Sequence, residues 1–449
     1  MTPKSTEEPQ VQLFKSRLDN MIDMDHELVL LANKLNWKVF EKLLGEVYIP
    51  DRGRPGLPTR LMVGLHYLKG LHDLSDEETA EGFLENPYWQ YFCGMEYFVI
   101  KLPFDVSSMT RWRKRAGSRG LEAMLKETIQ TALSVKCIKK NDLKKIIIDT
   151  TVQEKDIAFP TDIKLCATGI KLLTREAKEL GIRLRQTYSS VVPKLQRLNW
   201  QSARSRKYKQ AAACVKKVRT LLGRVVRDIE RKATENQLAG KLGELLAMGR
   251  KVIEQKRDSK NKIYSWFEPY TACIAKGKER RKYEFGCKAS VAITNRHSFI
   301  VGMQTYTGCP NDVTTLKPAL EQVMRLTGVM PEEIGCDKGY RGKARHAEIP
   351  GRILIPGTGQ QISVKEKRRM RRRNTIEPVI GHLKADYGLE RNYLKGTVGD
   401  AINALMAACG SNLKKLLKHL RTFLYLVINW LIPDINTTAE RNQPIYCNC

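Results

Sequence analysis

The pattern of apolar and polar positions divides the chain into a helical first part and a later part that mixes strands with helices. Thr59 to Leu71 repeats apolar residues at helical spacing. Ser75, followed three residues later by Glu78, has the pattern of a capping box at the start of the next helix. A further helix is predicted to begin in Ser107 to Arg115. Residues 10–135 are therefore predicted to be helical, with turns between the helices.

The later pattern predicts strands and helices in alternation. Three β-branched residues, Ile146 to Ile148, run directly into Asp149 and indicate a buried strand. Two β-like segments separated by a short polar turn, Tyr283 to Ile293 and Phe299 to Tyr306, predict an antiparallel hairpin. The other predicted elements are a helix from Asn311 to about Arg325, a short strand from Glu333 to Asp337, a strand from Arg352 to Pro356, a helix containing Glu377, and one or two apolar helices from about Gly399 to Ile432.

This order predicts a mixed α/β sheet covered by helices, with a helical insertion after the first strand. The insertion occupies about residues 165–260, where Lys and Arg outnumber acidic residues by roughly three to one. One apolar face is formed by residues at helical spacing, namely Val218, Leu221, Leu222, Val225 and Val226. The insertion is therefore interpreted as either a solvated helical hairpin or an arm that faces DNA.

The charge of the whole chain favours a polyanionic partner. With 449 residues, a formal net charge of +30 and 42% hydrophobic residues, the chain is predicted to be globular and strongly basic. Such a field attracts nucleic acid, although a ribosomal or membrane-surface protein could carry the same balance. The polar start of the sequence predicts no secretory signal, and the apolar stretch Phe423 to Ile432 is too short to span a bilayer.

The cysteines favour neither a disulfide framework nor a zinc ribbon. There are eleven, an odd number, and none forms a Cys-x-x-Cys pair. Cys447 and Cys449 could form a metal or redox pair, but a frayed tail with two idle thiols is the favoured interpretation. We expect a cytoplasmic protein with reduced thiols.

Two acidic residues at predicted strands and a third on a predicted helix form an arrangement that is typical of divalent-metal sites. Asp149 and Asp337 lie in or just after predicted strands, and Glu377 lies on a predicted helix. Aspartates at adjacent strands can converge, and a glutamate on a neighbouring helix can reach the same cleft. Taken alone, each is more often an ordinary structural acid, because a strand-end aspartate usually makes a local Asx bond.

The short sequences around these acids resemble the insertion-sequence transposases of the IS-four and IS-five superfamily. They are Ile-Ile-Ile-Asp149-Thr-Thr, Cys-Asp337-Lys-Gly-Tyr340, and Arg373 followed at family spacing by Glu377 and Lys384. Where the family signature has a Tyr, this chain has Met370. The resemblance implies an RNase H-like catalytic domain in which Asp149, Asp337 and Glu377 are catalytic and bind two Mg²⁺ (or Mn²⁺) ions. It also implies that Arg373 and Lys384 position DNA phosphates.

Other segments resemble the same family. In the catalytic part they are Asp162, Lys276 to Lys278, Tyr283 to Lys288, and Gly308 to Asp312. The stretch from Gly53 to Arg115 resembles the helical domain that recognises terminal inverted repeats. There Arg111, Trp112 and Arg113 are candidate DNA contacts, with a solvated basic face around a core Trp112 as the equal alternative.

Several further candidates keep a structural alternative. Trp266 could stack on an unpaired base, although core packing is favoured. Lys288 could face a phosphate or could be a solvated strand residue. His297 and His382 could be ligands, yet lone histidines are more often surface or core residues.

The sequence therefore predicts a DNA transposase that acts as a homodimer or larger assembly, with terminal inverted repeats and target double-stranded DNA as partners, no membrane, and a place in the bacterial nucleoid. The predicted domains are residues 1–135 (helical, DNA-binding), 140–398 (catalytic, including the insertion) and 399–449 (C-terminal helices and tail). Two alternatives remain open at this point: a DNA-binding regulator that does not cut, and a nuclease of the same fold that cuts without joining.

Overall fold

The computed structural model describes residues 16–45, 56–256, 258–275, 282–342, 349–357 and 363–431, with side chains as far as residue 422. The segments Gly53 to Pro55 and Lys276 to Lys278, and the tail cysteines Cys447 and Cys449, lie outside the described residues.

The described residues before the first strand fold as helices joined by turns. The predicted helix at residue 59 and the predicted capping box are both confirmed, with the Ser75 hydroxyl accepting from the Glu78 amide and the Glu78 carboxylate accepting from the Ser75 amide. The last of these helices bends at Gly117, whose φ of 58° is unstrained only for glycine. The helices are α1 (Glu27–Lys34), α2 (Trp37–Gly45), α3 (Thr59–His72), α4 (Asp76–Glu85), α5 (Pro87–Phe92) and α6 (Ser107–Ser134).

A mixed sheet forms the centre of the molecule, as predicted, and it has seven strands within the described residues. Its order is β2-β3-β1-β5-β6, with β4 paired to β3 and β7 paired to β1. The pairs β1–β3, β2–β3 and β3–β4 are antiparallel, whereas β5 and β7 are parallel to β1, and β6 is parallel to β5. The strands are β1 (Lys145–Lys155), β2 (Ala272–Ala275), β3 (Tyr283–Thr294), β4 (Ile300–Tyr306), β5 (Glu333–Gly335), β6 (Arg352–Leu354) and β7 (Arg391–Asn392).

The predicted hairpin is confirmed as β3 and β4, whereas β2 and β7 were not predicted. These two strands have four and two residues, which is too short for a period-two pattern to stand out. The predicted C-terminal helices form one long helix. The helices of this part of the chain are α12 (Asp312–Thr327), α13 (Val364–Arg371), α14 (Ile376–Asp386) and α15 (Gly396–Leu431).

The insertion between β1 and β2 is helical and has its own apolar core. Val218, Leu222 and Val226 are buried in it together with Trp266. Its helices are α7 (Asp162–Glu179), α8 (Val191–Arg204), α9 (Tyr208–Glu230), α10 (Glu235–Leu238) and α11 (Lys241–Glu254). An amphipathic face therefore packs within the insertion and leaves its basic residues to solvent.

The N-terminal helices, the sheet and α15 share a second, larger core. It is continuous from Leu28 through Ile147 to Leu420, because α15 packs against α3, α6 and β4. The predicted boundaries near residues 135–140 and 398–399 are therefore not gaps in the hydrophobic core, and the division into three domains stays a prediction. Within the described residues, no helix combines the length and apolar character needed to cross a membrane.

Candidate active site

Asp149 lies on β1, and Asp337 lies just after the end of the neighbouring parallel strand β5. Ile147 of β1 pairs with Gly335 of β5, and each aspartate follows two residues later on its own chain segment. Side chains two residues apart on an extended chain point to the same face of the sheet. The carboxylates of Asp149 and Asp337 therefore lie on the same face as each other. Asp149 accepts the Thr150 amide at 2.7 Å, and Asp337 accepts the Gly339 amide at 2.8 Å as it caps the short 3₁₀ turn Lys338–Tyr340.

The surroundings of Asp149 disfavour its ionised form. Burial is the main cause, and the negative charges of Asp337 and Asp312 add to it, so that the pKa of Asp149 rises to about 6. The Thr150 amide and the Arg373 guanidinium act in the opposite direction. A cation placed between Asp149 and Asp337 would relieve this repulsion.

Asp312 is a third acid beside this pair and was not predicted as a site residue. Its carboxylate accepts from the Thr150 hydroxyl at 2.7 Å and from Lys288 Nζ at 2.8 Å. An added Cβ on Gly339 would lie 2.8 Å from Asp312 Oδ2 and 3.0 Å from Asp337 Oδ1, so the two carboxylates flank this glycine. The sequence signal was the segment Gly308 to Asp312, which was interpreted as a helix start and as a segment resembling the family, without a site role for Asp312.

Glu377 is outside this group of aspartates. Its side chain is 65% exposed in the first turn of α14, and its Oε1 lies 3.6 Å from Arg373 Nη2. The charge of the same Arg373 opposes the rise in the pKa of Asp149, so this guanidinium acts on both Asp149 and Glu377. Of the three predicted catalytic acids, the structure therefore brings two together, and the role of Glu377 stays a prediction.

A cavity of about 480 Å³ opens beside Asp337. Arg373, Lys367 and Lys338 line it together with Met370, the residue at the family's Tyr position. The cavity thus combines one of the two paired aspartates with a cationic wall, a suitable environment for an anionic substrate.

Lys384 lines a different cavity, of about 770 Å³, together with Glu154, Lys69 and Arg391. Glu154 lies five residues beyond Asp149 on β1, which corresponds to roughly 16 Å along the strand. Glu377 and Lys384 are separated along α14 by roughly 10 Å. If Lys384 contacts a DNA phosphate, that phosphate therefore lies away from Asp149 and Asp337.

Two of the three predicted contacts on α6 are wrong. The side chain of Trp112 is 4% exposed and packs on His66, with ring centroids 4.5 Å apart. Arg113 is buried as well, and its two terminal nitrogens bond both oxygens of Asp76. Only Arg111 of the three faces solvent, because Trp112 and Arg113 lie on the side of the helix that packs against α3 and α4.

Trp266 is also a core residue, so the stacking role considered for it is wrong. Its side chain is 5% exposed, its indole N–H donates to the Leu165 carbonyl at 2.8 Å, and its ring packs against Gly169. Lys288 is partly buried and bonded to Asp312 and the Pro310 carbonyl, which differs from both interpretations of this residue. His382 and His297 lie near the surface beside Asp386 and Asp142.

The described residues contain no group of three or more His, Cys, Asp and Glu side chains arranged to bind one metal ion. The donor chemistry of the aspartates nevertheless suits a hard divalent cation, which prefers carboxylate oxygens.

The fold and the site together define a class of protein. The site combines a mixed sheet, one aspartate on β1, a second just after the adjacent β5, and a cationic cavity beside the second. With a net charge of +30, these features are typical of an enzyme that acts on nucleic acid.

Comparison with known proteins identifies the family. Residues 16–115 match the family described as "Transposase domain (DUF772)", and residues 260–413 match the "Transposase DDE domain" family. A similar protein is the "Uncharacterized protein ORF8 in nfe locus" of Rhizobium meliloti, 44% identical over 211 residues that cover 47% of this chain and 99% of that protein. No solved structure matches. The chain belongs to the DDE transposases of insertion-sequence type, and as such it is a DNA-binding enzyme.

The matched segments cover the site unevenly. The DDE match includes Asp312, Asp337 and Glu377, but it begins after Asp149 and after most of the insertion. The place of Asp149 in the site therefore depends on its position in the sheet.

Proposed function

We propose that this transposase cleaves DNA at the ends of its insertion sequence and then joins the freed 3′-hydroxyl to target DNA. The observation that carries the proposal is the position of Asp149 on β1 next to Asp337, which follows the end of the neighbouring parallel strand β5. Both reactions are attacks of an oxygen on a phosphodiester, so one site can serve both, and no covalent enzyme intermediate is needed.

The catalytic part is proposed to be RNase H-like. In support, the central strands have the order β4-β3-β1-β5-β6. The first three are antiparallel and the last two follow the direction of β1, the arrangement of that fold. Along the chain, the helical insertion lies between β1 and β3.

Asp149, Asp337 and Glu377 are proposed to hold two Mg²⁺ or Mn²⁺ ions. When bound, such ions activate the attacking oxygen and stabilise the leaving oxygen in an in-line displacement. Arg373 supports the assignment, since its charge acts on Asp149 and its guanidinium also contacts Glu377. Its place beside the cavity at Asp337 suits it to orient a scissile phosphate.

DNA is proposed to extend from this cavity along α14 to Lys384, with Arg111 on the N-terminal helices as a further phosphate contact. The basic insertion would add contacts to flanking DNA that weaken steeply as salt rises. Because two ends must be joined in one complex, we propose a homodimer or larger assembly that acts on the terminal inverted repeats and target DNA in the bacterial nucleoid.

The test uses linear DNA that carries the element's ends, with Mg²⁺, and separates binding from cleavage and strand transfer. We expect Asp149→Asn, Asp337→Asn and Glu377→Gln to keep end binding and to lose cleavage by roughly a thousandfold or more, since the bound ions contribute several kcal/mol. Asp386→Asn is the matched control, because Asp386 is an exposed acid on α14 that pairs with His382.

Wild-type strand transfer by any of the three variants would contradict its assignment. Cleavage by the wild-type protein without joined products would indicate the nuclease alternative. End binding without any cleavage in Mg²⁺ or Mn²⁺ would indicate the regulator.

A further inference from the structure

Helix α8 and most of helix α9 of the insertion lie in a stretch of the sequence that is rich in Lys and Arg and has no acidic residue. From residue 180 to residue 227 the sequence has thirteen Lys and Arg and no Asp or Glu. This span includes α8, most of α9 and the turn between them, Ser205 to Lys207. Arg204, Arg206, Lys207 and Lys209 are all exposed around that turn. A surface of this kind is complementary to a phosphate backbone.

Two large aromatic side chains stand out from the same surface. Trp200 on α8 is 61% exposed and Tyr208 at the start of α9 is 68% exposed. Trp200 is the most exposed of the five tryptophans whose side chains the structure describes. The Arg204 guanidinium lies over its ring, 5.3 Å from the centroid. An exposed indole does not gain the free energy that burial would contribute. Its exposure on a basic surface therefore indicates a binding site for a partner that covers the ring.

The turn that presents these side chains is closed by several hydrogen bonds. The Arg206 and Lys207 amides donate to the carbonyls of Ala203 and Ser202, at 3.1 and 2.8 Å, and Arg206 has the left-handed φ of 59° that commonly ends a helix. The Asn199 side chain donates to the Ala211 carbonyl at 2.9 Å and joins the two helices. The aromatic and basic groups are therefore displayed by a fixed helical hairpin.

We infer that the α8–α9 turn binds DNA with unpaired bases, with Trp200 stacking on a base and the surrounding Lys and Arg side chains holding phosphates. The inference rests on the proposed DNA-processing function and deepens it by assigning a form of DNA to the insertion. An intact duplex presents phosphates and groove edges, whereas a stacking surface for an indole becomes available only where a base is unpaired. Tyr208 is a second candidate for stacking on the same strand.

The experiment measures binding to three labelled DNAs of one sequence: a single strand of about 20 nucleotides, a blunt duplex, and a duplex with a single-stranded overhang. Trp200→Ala should weaken binding to the single strand and to the overhang roughly tenfold or more, with little change for the blunt duplex. Trp200→Phe keeps an aromatic ring and should restore much of the loss. Leu198→Ala removes an exposed apolar side chain from the same helix and is the matched control.

Salt dependence separates stacking from charge. Trp200→Ala should leave the slope of log affinity against log salt unchanged, whereas a Lys207→Ala, Lys209→Ala double variant should make the slope shallower by about one to two, on all three DNAs. Thermal unfolding of each variant checks that the insertion remains folded.

Single-strand binding by Trp200→Ala at the wild-type level, or an equal loss on all three DNAs, would overturn the inference. These outcomes are independent of catalysis. If Asp337→Asn abolishes cleavage while Trp200→Ala binds normally, the inference alone fails. If Asp337→Asn cleaves normally while Trp200→Ala loses single-strand binding, the proposed catalytic site fails and the binding site remains.

Discussion

His66 lies fully buried in α3 with a partner on each ring nitrogen. Nδ1 is 2.6 Å from the Met62 carbonyl and Nε2 is 3.3 Å from Arg113 Nη1. Burial, followed by the charge of Arg113, lowers the pKa of His66 to about 3. The ring is therefore neutral, with Nδ1–H donating to the carbonyl and Nε2 accepting from the guanidinium. Burial raises the pKa of the nearby Asp76, but bonds and charges from Arg113 and Lys69 outweigh it and keep that pKa below its usual value.

This arrangement predicts acid sensitivity that begins near neutral pH. Below about pH 6.5 the unfolded chain binds a proton at His66 and the folded chain does not, until the pH approaches 3. The free energy of unfolding should therefore decrease as the pH is lowered through this window. At pH 5 it should be about 2 kcal/mol below its value near neutral pH. Urea unfolding of His66→Gln, whose amide oxygen can accept from Arg113, should show a flatter dependence between pH 6.5 and 4.5. Asp76 acts in the same direction, but below pH 4. Equal slopes for the two proteins would contradict the prediction.

At the scale of elements, α7 of the insertion depends on a close approach to one indole ring. A Cβ added at Gly169 would overlap the ring of Trp266, whose indole N–H bonds the Leu165 carbonyl of the same helix. Gly223 on α9 is different, since an added Cβ would meet only the flexible end of Arg227, at 3.3 Å. Two helix glycines of the insertion therefore have opposite tolerance for a methyl group.

We expect Gly169→Ala to destabilise the insertion by about 1–3 kcal/mol through overpacking. Gly223→Ala should stabilise it by up to about 1 kcal/mol, because alanine has the higher helix propensity. Chemical unfolding followed by Trp fluorescence measures both. A neutral or stabilising Gly169→Ala would show that the contact between Trp266 and α7 is looser than the structure has it.

At the scale of the whole molecule, Lys155 joins three parts of the chain. Its ammonium, at the end of β1, is 2.7 Å from Asp400 Oδ1 on α15 and 3.3 Å from Glu268 Oε2, which follows the insertion. Asn392 of β7 donates to the same Asp400 at 2.6 Å. The first strand, the segment after the insertion and the C-terminal helix are thus held by one buried cation.

Lys155→Met should destabilise the protein by about 3–5 kcal/mol, because it leaves Asp400 and Glu268 without their buried counter-charge. Lys144→Met is the matched control: Lys144 pairs with Glu332 at the surface, and its loss should cost less than about 1 kcal/mol. Thermal and urea unfolding measure the two variants. Equal effects would mean that the Lys155 cluster contributes no more than a surface ion pair.

Much of the fold and part of the site could be predicted from the sequence because the signals are local. The periodicity of α3, the capping box at Ser75 and the β-branched run before Asp149 act within a few residues, and each element formed where it was expected. The order of the elements then predicted a mixed sheet, in which Asp149 and Asp337 come to lie together.

What only the tertiary structure decided concerns partners that are distant along the chain. Arg113 is buried whereas Arg111 is exposed, because Arg113 pairs with Asp76, which is 37 residues away in the sequence. Asp312 lies near the aspartate pair and accepts a hydrogen bond from Thr150, which is 162 residues away in the sequence. Glu377, by contrast, lies on the exposed side of α14. A basic or acidic residue has the same local pattern whether it is buried with a counter-charge or free in solvent. The sequence by itself therefore determined the elements and the family motifs, and the packing of those elements determined which charged side chains are available to DNA.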